Sequence, residues 1–416
     1  MRAIVKPRPI GDDAWPEGLT LEQIDEPQVE HPEDVKIRVV AAGICGTDVG
    51  IYRSRKALRA TMSRAQSERV VIGHEFCGIP IDAGAHACLR IARILGHLAT
   101  HDAVVGDYVK NRSPEQVSDD PALMSFVGEN FYCSAEMHVT CGWCRQCRMG
   151  ERHVCQYTRI KGVHEDGVFA EFVVVRAFNL VLFRRGEIPV DVIAFMDALG
   201  NAVHTVQEVN VTGKSVAVLG SGVQGLMATA VARHSGASEI YVTDFTPPSS
   251  PSFPSSTHDS DHIDQTLFKL ARSFGANHCF DLAQPGARDA LISAVMEETD
   301  GTGVDAVLEM SGNYSAYRNG LDIVRMGGTI GLLGLPEGEF GIDFARDVIF
   351  RGITIKGVIG RRVFETWEVM RNLLKSGLAE ELLGAGFVSH HLDLEDYEKG
   401  MNAILNREAI KVILKP

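Results

Sequence analysis

Apolar residues along this chain follow two patterns, and the change between them divides it into two regions. In the first region short runs such as Val35-Lys-Ile-Arg-Val-Val40 alternate with polar residues or are β-branched, which is typical of strands. From about residue 198 onward, buried strand-like runs alternate with helix-like segments, which favours a parallel sheet covered by helices. The pattern therefore predicts an α/β chain, with a mainly β domain followed by a doubly wound domain.

One strand-like run of the second region breaks into a glycine-rich turn. The run Ser215–Leu219 is followed by Gly220, Gly222 and Gly225 in the spacing G-x-G-x-x-G, and then by a helix-like segment. Such a turn lets a pyrophosphate approach the backbone at a helix N-terminus, and an acid that ends the next strand, here Asp244, can bind a ribose hydroxyl. The pattern predicts a dinucleotide site, with a glycine-rich turn in another kind of α/β protein as the alternative. The carboxylate of Asp244 favours NAD because it would repel a 2′-phosphate.

A short stretch of the first region contains four of the nine cysteines in the spacing C-x2-C-x2-C-x7-C. Four thiolates this close can surround one tetrahedral zinc ion and leave no position open for chemistry. A reduced cysteine loop and an iron–sulfur site are the alternatives. The spacing predicts a structural zinc site at Cys141, Cys144, Cys147 and Cys155.

A second candidate metal site comes from two separate turns. Cys45 is followed by Gly-Thr47-Asp, and His74-Glu75 lies in a glycine-flanked bend. A lone cysteine or histidine is more often a buried structural residue. Beside a dinucleotide site, however, a thiolate, an imidazole and a carboxylate form a credible catalytic zinc set with an open position. Asp197 is an acid in an apolar stretch, and taken alone it is interpreted as a helix cap or a surface carboxylate.

Composition narrows the class of protein. The formal net charge of −13 over 416 residues argues against nucleic-acid and anionic-membrane partners. The N-terminus has no apolar run long enough for a signal peptide, so a cytoplasmic protein is expected. Residues 53–68, 111–130 and 246–262 have the composition of surface insertions, and the Gly106-Asp107 pair is expected to turn into a strand. The chain is expected to leave the parallel sheet at residues 353–360.

These motifs together resemble the zinc-dependent medium-chain alcohol dehydrogenases over nearly the whole chain, and within them the L-threonine 3-dehydrogenases. The residues that carry the resemblance are Gly43–Asp48, Gly73–Glu75, the four-cysteine lobe with its lead-in from His138, Leu199–Thr205, Leu308–Gly312 and Ile355–Trp367. The resemblance implies a GroES-like catalytic domain over 1–197, an NAD-binding Rossmann domain over 198–357, and a return to the catalytic domain over 358–416.

The resemblance also implies a role for each matching residue. Cys45 and His74 would bind the catalytic zinc, with Asp197 as a third ligand and Glu75 as an acid that can enter or leave the coordination shell. Thr47 would accept the substrate proton, and His138 is a candidate substrate contact, with a plain loop histidine as the alternative. Further cofactor contacts are implied at Val223, Gln224 and Ser311.

The implied activity is NAD-linked oxidation of a secondary alcohol, with L-threonine as the favoured substrate and two zinc ions per chain. Alternatives are a polyol, sugar or other secondary-alcohol dehydrogenase, and a zinc- and nucleotide-binding protein without turnover. A homo-oligomer is expected, a tetramer rather than a dimer. One departure stands out: Gly50 occupies a position where threonine dehydrogenases usually carry a histidine that passes protons to solvent.

Overall fold

The computed structural model describes residues 1–11, 15–245 and 260–416. These residues form two compact units: one combines Met1–Asp197 with His390–Pro416, and the other is Ala198–Ser389. None of the helices in the described ranges has the length and apolar character needed to cross a bilayer.

Strands dominate the first unit up to Asp197. Their bounds are β1 (Arg2–Pro7), β2 (Thr20–Gln23), β3 (Asp34–Gly43), β4 (Arg69–Val71), β5 (Glu75–Ala83), β6 (Phe131–Ala135), β7 (His138–Val139), β8 (Arg159–Ile160), β9 (Phe172–Arg176) and β10 (Leu180–Arg184). The helices are short, apart from α3, and comprise α1 (Gly46–Tyr52), α2 (Lys56–Met62), α3 (Ala85–Leu98), α4 (Ala103–Val109), α5 (Pro114–Ser118), α6 (Leu123–Asn130), α7 (Arg145–Arg148) and α8 (Val190–Ala194).

The second unit alternates strands and helices, as its apolar pattern predicts. Its elements are α9 (Met196–Val209), β11 (Ser215–Leu219), α10 (Val223–His234), β12 (Glu239–Asp244), α11 (Ser260–Ser273), β13 (His278–Asp281), α12 (Ala287–Glu298), β14 (Val304–Glu309), α13 (Tyr314–Ile323), β15 (Val324–Leu332), β16 (Thr354–Gly357), α14 (Glu365–Leu373) and α15 (Ala379–Gly384). The six strands form one parallel sheet in the order β13-β12-β11-β14-β15-β16. This is the doubly wound dinucleotide-binding order.

The C-terminal segment completes the sheet of the first unit. It contains β17 (Val388–Asp393), α16 (Tyr397–Leu405) and β18 (Lys411–Lys415). The main antiparallel sheet runs β10-β6-β5-β3-β18-β17, and β9 also pairs with β3. Because β18 lies beside β3, the chain's last strand reaches the strand that leads to Cys45.

The boundary predictions are confirmed only in part. The chain leaves the parallel sheet within 353–360, but only after Gly357, because residues 354–357 form β16, its sixth strand. The predicted return to the first unit at 358 is wrong: residues up to Ser389 stay in the second unit. The reason is packing within that unit, where Glu381 pairs with His234 at 2.6 Å and Phe387 contacts Phe274.

The predicted insertions are more structured than their composition indicates. Residues 111–130 contain α5 and α6, which place Val117 and Val127 in the core of the first unit, and Gly106 lies in α4 instead of turning into a strand. These segments form helices because their apolar side chains recur at helical spacing, although polar residues dominate their composition. Within 53–68, α2 buries Met62. The third insertion, 246–262, lies outside the described residues except for its last three positions, which begin α11.

Candidate active site and nucleotide site

Three of the predicted zinc ligands come together in the first unit. Cys45 caps the N-terminus of α1, directly after β3, while His74 and Glu75 stand at the start of β5. The backbone can bend before His74 because Gly73 has φ +93°, and a Cβ there would lie 2.3 Å from the Phe169 ring. The sulfur, one imidazole nitrogen and one carboxylate oxygen all lie within 4.8 Å of one another, and His74 and Glu75 are buried. A soft thiolate, a borderline imidazole and a hard carboxylate together form a donor set that suits zinc.

Asp48 connects two of these residues, although the predicted site did not include it. Its Oδ2 accepts a hydrogen bond from the Cys45 backbone N–H at 2.9 Å, and its Oδ1 lies 3.2 Å from Nδ1 of His74. Burial by itself lowers the pKa of His74, but the charges of Asp48 and Cys45 outweigh it and raise that pKa well above its usual value. Asp48 therefore places a negative charge beside the imidazole, where second partners of metal-binding histidines usually lie, although Oδ1 and Nδ1 form no hydrogen bond in this geometry.

Glu75 is held by a lysine from the far end of the chain. Oε2 of Glu75 pairs with Nζ of Lys411, the first residue of β18, and Nζ also donates to the Ile44 carbonyl at 2.9 Å. Both side chains are almost completely buried. A Cβ at Gly43 would lie 2.6 Å from Oε2, so this glycine leaves the space that the carboxylate occupies.

The second oxygen of Glu75 shows that the set can accept a cation. Oε1 is buried and has no hydrogen-bond partner among the described residues. Burial raises the pKa of Glu75, while the Lys411 ammonium opposes that shift. A buried acceptor left open beside a thiol and an imidazole fits a metal ligand better than a structural acid does.

The structure places the other predicted residues of the first unit less directly. Asp197 lies buried in the first turn of α9, and its charge raises the pKa of Glu75, but it is outside the set whose ligand atoms lie within 4.8 Å. Thr47 lies half-buried in the first turn of α1. His138 lies on β7, where its Nδ1 is 2.8 Å from Oε1 of the buried Glu136. Glu136 therefore orients His138. The sequence motif around His138 did not predict this contact.

The surroundings of Gly50 leave little room for a side chain. Gly50 is buried in α1, and a Cβ at this position would lie 2.5 Å from Cδ1 of Leu58 on α2. The segment at 53–68 thus covers the position with an apolar side chain. Residue 50 therefore contributes no side chain that could pass a proton.

The four clustered cysteines converge in a small lobe between β7 and β8. Their sulfurs lie 3.6 Å (Cys141 to Cys155) and 3.9 Å apart (Cys141 to Cys147, and Cys144 to Cys155). Four sulfurs on one zinc ion at about 2.3 Å are expected roughly 3.8 Å from one another. Backbone N–H groups lower the pKa of Cys144 to about 6, whereas burial raises the pKa of Cys147 to about 12. All four are free thiols, so the lobe can hold a metal ion.

The glycine turn of the second unit has the geometry expected of a dinucleotide loop. Gly220 adopts φ +101°, and a Cβ at Gly225 would lie 1.7 Å from the Gly220 carbonyl oxygen. Nothing lies within 4 Å of a Cβ built at Gly222, so the turn is open where a phosphate would approach. Helix α10 begins at Val223.

The remaining predicted nucleotide residues surround this turn. Asp244 ends β12, and its Oδ2 accepts hydrogen bonds from the Ser221 N–H at 2.8 Å and hydroxyl at 2.5 Å. Ser311 contacts the turn from the other side, because a Cβ at Gly220 would lie 2.8 Å from its Cβ. The side chain of Gln224 donates to the Ala198 carbonyl at 3.2 Å, so in this structure it is engaged within the protein.

Comparison with known proteins identifies the family. Residues 31–128 match the alcohol dehydrogenase GroES-like domain and residues 260–376 match the zinc-binding dehydrogenase family. The L-threonine 3-dehydrogenase of Caldanaerobacter subterraneus subsp. tengcongensis is 34% identical over 400 residues, covering 96% of each chain. The chain belongs to the zinc-dependent medium-chain alcohol dehydrogenase family.

Solved structures of other members have the same fold. The alcohol dehydrogenase TADH from Thermus sp. ATN1 covers 100% of this chain and 99% of its own, with a TM-score of 0.73 and 24% identity. A protein assigned as a zinc-binding dehydrogenase, from Sinorhizobium meliloti 1021 and bound to NADP, covers 100% of both chains with a TM-score of 0.68 and 24% identity. The Rossmann and GroES-like folds predicted from the sequence are thus confirmed, and the protein is an alcohol oxidoreductase.

Two residues that contact the candidate zinc ligands were not identified from the sequence. Asp48 stands in the quoted Gly-Thr-Asp motif, so its spacing to Cys45 could have indicated a role. Lys411 is separated from Glu75 by 336 positions, and no local pattern connects them.

Proposed function

We propose that this protein catalyses the NAD-linked oxidation of L-threonine at its 3-hydroxyl, giving 2-amino-3-oxobutyrate, NADH and a proton. The observation that carries the reaction class is the buried Cys45, His74 and Glu75 set with its open carboxylate oxygen. The identity of 34% to a curated L-threonine 3-dehydrogenase over almost the whole chain supports the substrate.

Zinc bound by Cys45 and His74, with Glu75 or Asp197 as a further ligand, would supply a Lewis acid that lowers the pKa of the substrate hydroxyl. The side chains around these ligands then determine how they are presented. Asp48 places a negative charge beside the His74 imidazole, and Lys411 holds one oxygen of Glu75 so that the other faces the ligand set. We assign to Thr47 the relay of the hydroxyl proton: its hydroxyl would accept that proton while it passes its own on to the nicotinamide ribose.

We assign substrate recognition in part to His138. The buried carboxylate of Glu136 accepts the His138 backbone N–H at 3.0 Å and lies beside its ring nitrogen, so the imidazole is held in one orientation. A fixed imidazole of this kind could bind the carboxylate of an amino-acid substrate. A polyol offers no such anion, so His138 favours threonine over the polyol alternative.

The dinucleotide preference follows from Asp244. The two hydrogen bonds from Ser221 hold its carboxylate beside the turn, where it can accept from the 2′- and 3′-hydroxyls of an adenosine ribose. NADP occupies the same fold in the Sinorhizobium meliloti protein, so the choice depends on this chain's own residue. A carboxylate repels a 2′-phosphate, and we therefore propose NAD.

We further propose two zinc ions per chain, the second in the Cys141–Cys155 lobe, and a homo-oligomer, a tetramer rather than a dimer. Large apolar side chains exposed in the second unit support an oligomer, since extended exposed apolar patches usually mark interfaces. They include Leu335, Phe344, Ile349 and Phe350, which are 86%, 62%, 69% and 77% exposed.

The decisive experiment measures NADH formation with L-threonine beside L-serine, butane-2,3-diol and sorbitol. The matched variants are Cys45→Ala and Cys88→Ala, of which only Cys45 belongs to the ligand set. We expect turnover with L-threonine, its loss in Cys45→Ala and its retention in Cys88→Ala. Preference for the diol or the polyol would refute the threonine assignment and leave the reaction class intact. Equal activity of Cys45→Ala would refute the proposed zinc site.

A further inference from the structure

Glu309 is a buried carboxylate for which the proposed reaction has no role. It ends β14 and is completely buried, and burial raises the pKa of its carboxyl group. Its Oε1 accepts hydrogen bonds from the Ser311 N–H at 2.9 Å, the Ser311 hydroxyl at 2.5 Å and the Gly312 N–H at 3.0 Å. One oxygen therefore fixes the whole turn that follows the strand.

The same residue also holds the turn after the neighbouring strand β15. The Glu309 carbonyl accepts from the backbone N–H groups of Leu333 and Gly334 at 3.0 and 3.2 Å. A Cβ at Gly334 would lie 2.7 Å from Oε2, so the glycine allows this close approach. Glu309 thus connects the ends of two adjacent parallel strands.

These two turns lie at the carboxyl ends of the parallel strands, where a dinucleotide binds in this kind of sheet. In the strand order β13-β12-β11-β14-β15-β16, the glycine turn follows the central strand β11. Strands β11 to β13 form one mononucleotide-binding half and β14 to β16 form the other. Asp244 ends a strand of the first half, whereas Glu309 ends the first strand of the second half.

Each half of the sheet contacts the glycine turn through a serine that donates a hydrogen bond to a carboxylate. Ser221 within the turn donates to Asp244 on one side. On the other side, Gly220 packs against Ser311, which donates to Glu309. If Asp244 binds the adenosine ribose, the turns fixed by Glu309 face the nicotinamide mononucleotide.

We propose that Glu309 is a positioning residue for the nicotinamide mononucleotide half of the cofactor. Its carboxylate acts through the backbone of residues 311–312, its main-chain carbonyl holds residues 333–334, and it does not itself contact the reacting atoms. This inference rests on the proposed dinucleotide binding. It predicts that loss of the Glu309 carboxylate weakens binding of the intact cofactor and leaves binding of its adenosine half unchanged.

The test compares binding of NADH and of AMP to the full-length, zinc-loaded protein without substrate. Glu309→Met keeps the approximate size of the side chain but removes both acceptor oxygens, and Glu309→Asp keeps the charge but is too short to reach the donors of residues 311–312. Glu297→Met, at an exposed acid on α12, is the matched control. We expect both Glu309 variants to bind NADH about tenfold more weakly and to bind AMP as the wild type does.

Each other result has a definite meaning. Unchanged NADH binding by both variants overturns the positioning role. Equal losses of NADH and AMP binding, or loss of folding in both variants, assign Glu309 to the stability of the whole unit and also overturn it. Absence of NADH binding by the wild type would instead contradict the proposed function.

Discussion

Asp48 and His74 face each other in the buried part of the first unit, with 3.2 Å between Oδ1 of the aspartate and Nδ1 of the imidazole. The other oxygen of Asp48 accepts a hydrogen bond from the backbone N–H of Cys45, so one carboxylate lies against two predicted zinc ligands. Asp48→Asn should therefore lower zinc content or kcat/KM by about 10- to 100-fold. Zinc analysis and steady-state kinetics measure this effect.

The control for Asp48 is Asp289→Asn, an exposed acid in the first turn of α12. It should leave both zinc content and kcat/KM close to wild type. An Asp48→Asn protein with normal zinc and normal kinetics would show that His74 needs no partner.

Removal of Lys411 should destabilise the protein by leaving Glu75 buried without its cation. Lys411→Met is expected to lower the free energy of unfolding by about 3–5 kcal/mol, as breaking one side of a buried ion pair does. Urea unfolding measures the change. The double variant Lys411→Met, Glu75→Gln should recover part of the loss, and a purely additive double variant would show that the two residues are not coupled.

The cysteine lobe should depend on its metal ion. Cys147→Ser is expected to reduce zinc from two ions per chain to one and to destabilise the protein by several kcal/mol, because structural zinc contributes directly to folding. Metal analysis and thermal unfolding provide the readouts. Cys279→Ser, which replaces a half-buried cysteine of the second unit, should retain both ions. If Cys147→Ser also retained two ions, the tetrathiolate assignment would be wrong.

His164 should give the protein an acid-sensitive stability. Burial lowers the pKa of this histidine from 6.5 to about 4, and its Nδ1 accepts the Ile160 N–H at 2.8 Å. Between these two pKa values the unfolded chain takes up the proton and the folded chain does not. The contribution of His164 to the free energy of unfolding is therefore fully present above pH 6.5, and up to about 3 kcal/mol of it is lost as the pH decreases to 4.

The variant His164→Asn tests this pH dependence because its side-chain oxygen can still accept from Ile160. Its unfolding free energy should vary less between pH 6.5 and 4 than that of the wild type, whereas His101→Asn at an exposed position should follow the wild type. Parallel curves for His164→Asn and wild type would rule out His164 as the source.

Gly50 should be intolerant of any side chain. Alanine normally stabilises a helix relative to glycine, yet a Cβ at Gly50 would lie 2.5 Å from Leu58. Gly50→Ala is expected to lower the unfolding free energy by about 1–3 kcal/mol through overpacking, and the additional change Leu58→Ala should relieve it.

Gly96 on α3 provides the matched control, since nothing lies within 4 Å of a Cβ built there. Gly96→Ala should stabilise the protein by up to about 1 kcal/mol. A Gly50→Ala protein as stable as Gly96→Ala would mean that Leu58 moves aside freely. A histidine at position 50 would then be sterically possible.

Patterns within short segments determined much of this protein. The strand, glycine turn, helix and acid from Ser215 to Asp244 are where the sequence predicts them, because backbone conformation and apolar period are local properties. The four cysteines likewise converge, since ligands within fifteen residues can close on one ion without help from the rest of the fold.

Tertiary structure decided what depends on residues distant in sequence. Lys411 reaches Glu75 because β18 pairs with β3, and Leu58 fills the space beside Gly50 because α2 folds over α1. The helices of 111–130 and the packing of 358–389 in the second unit likewise follow from burial against partners elsewhere in the chain. Such contacts are made by long-range pairing and packing, and neither leaves a period or a spacing in the local sequence.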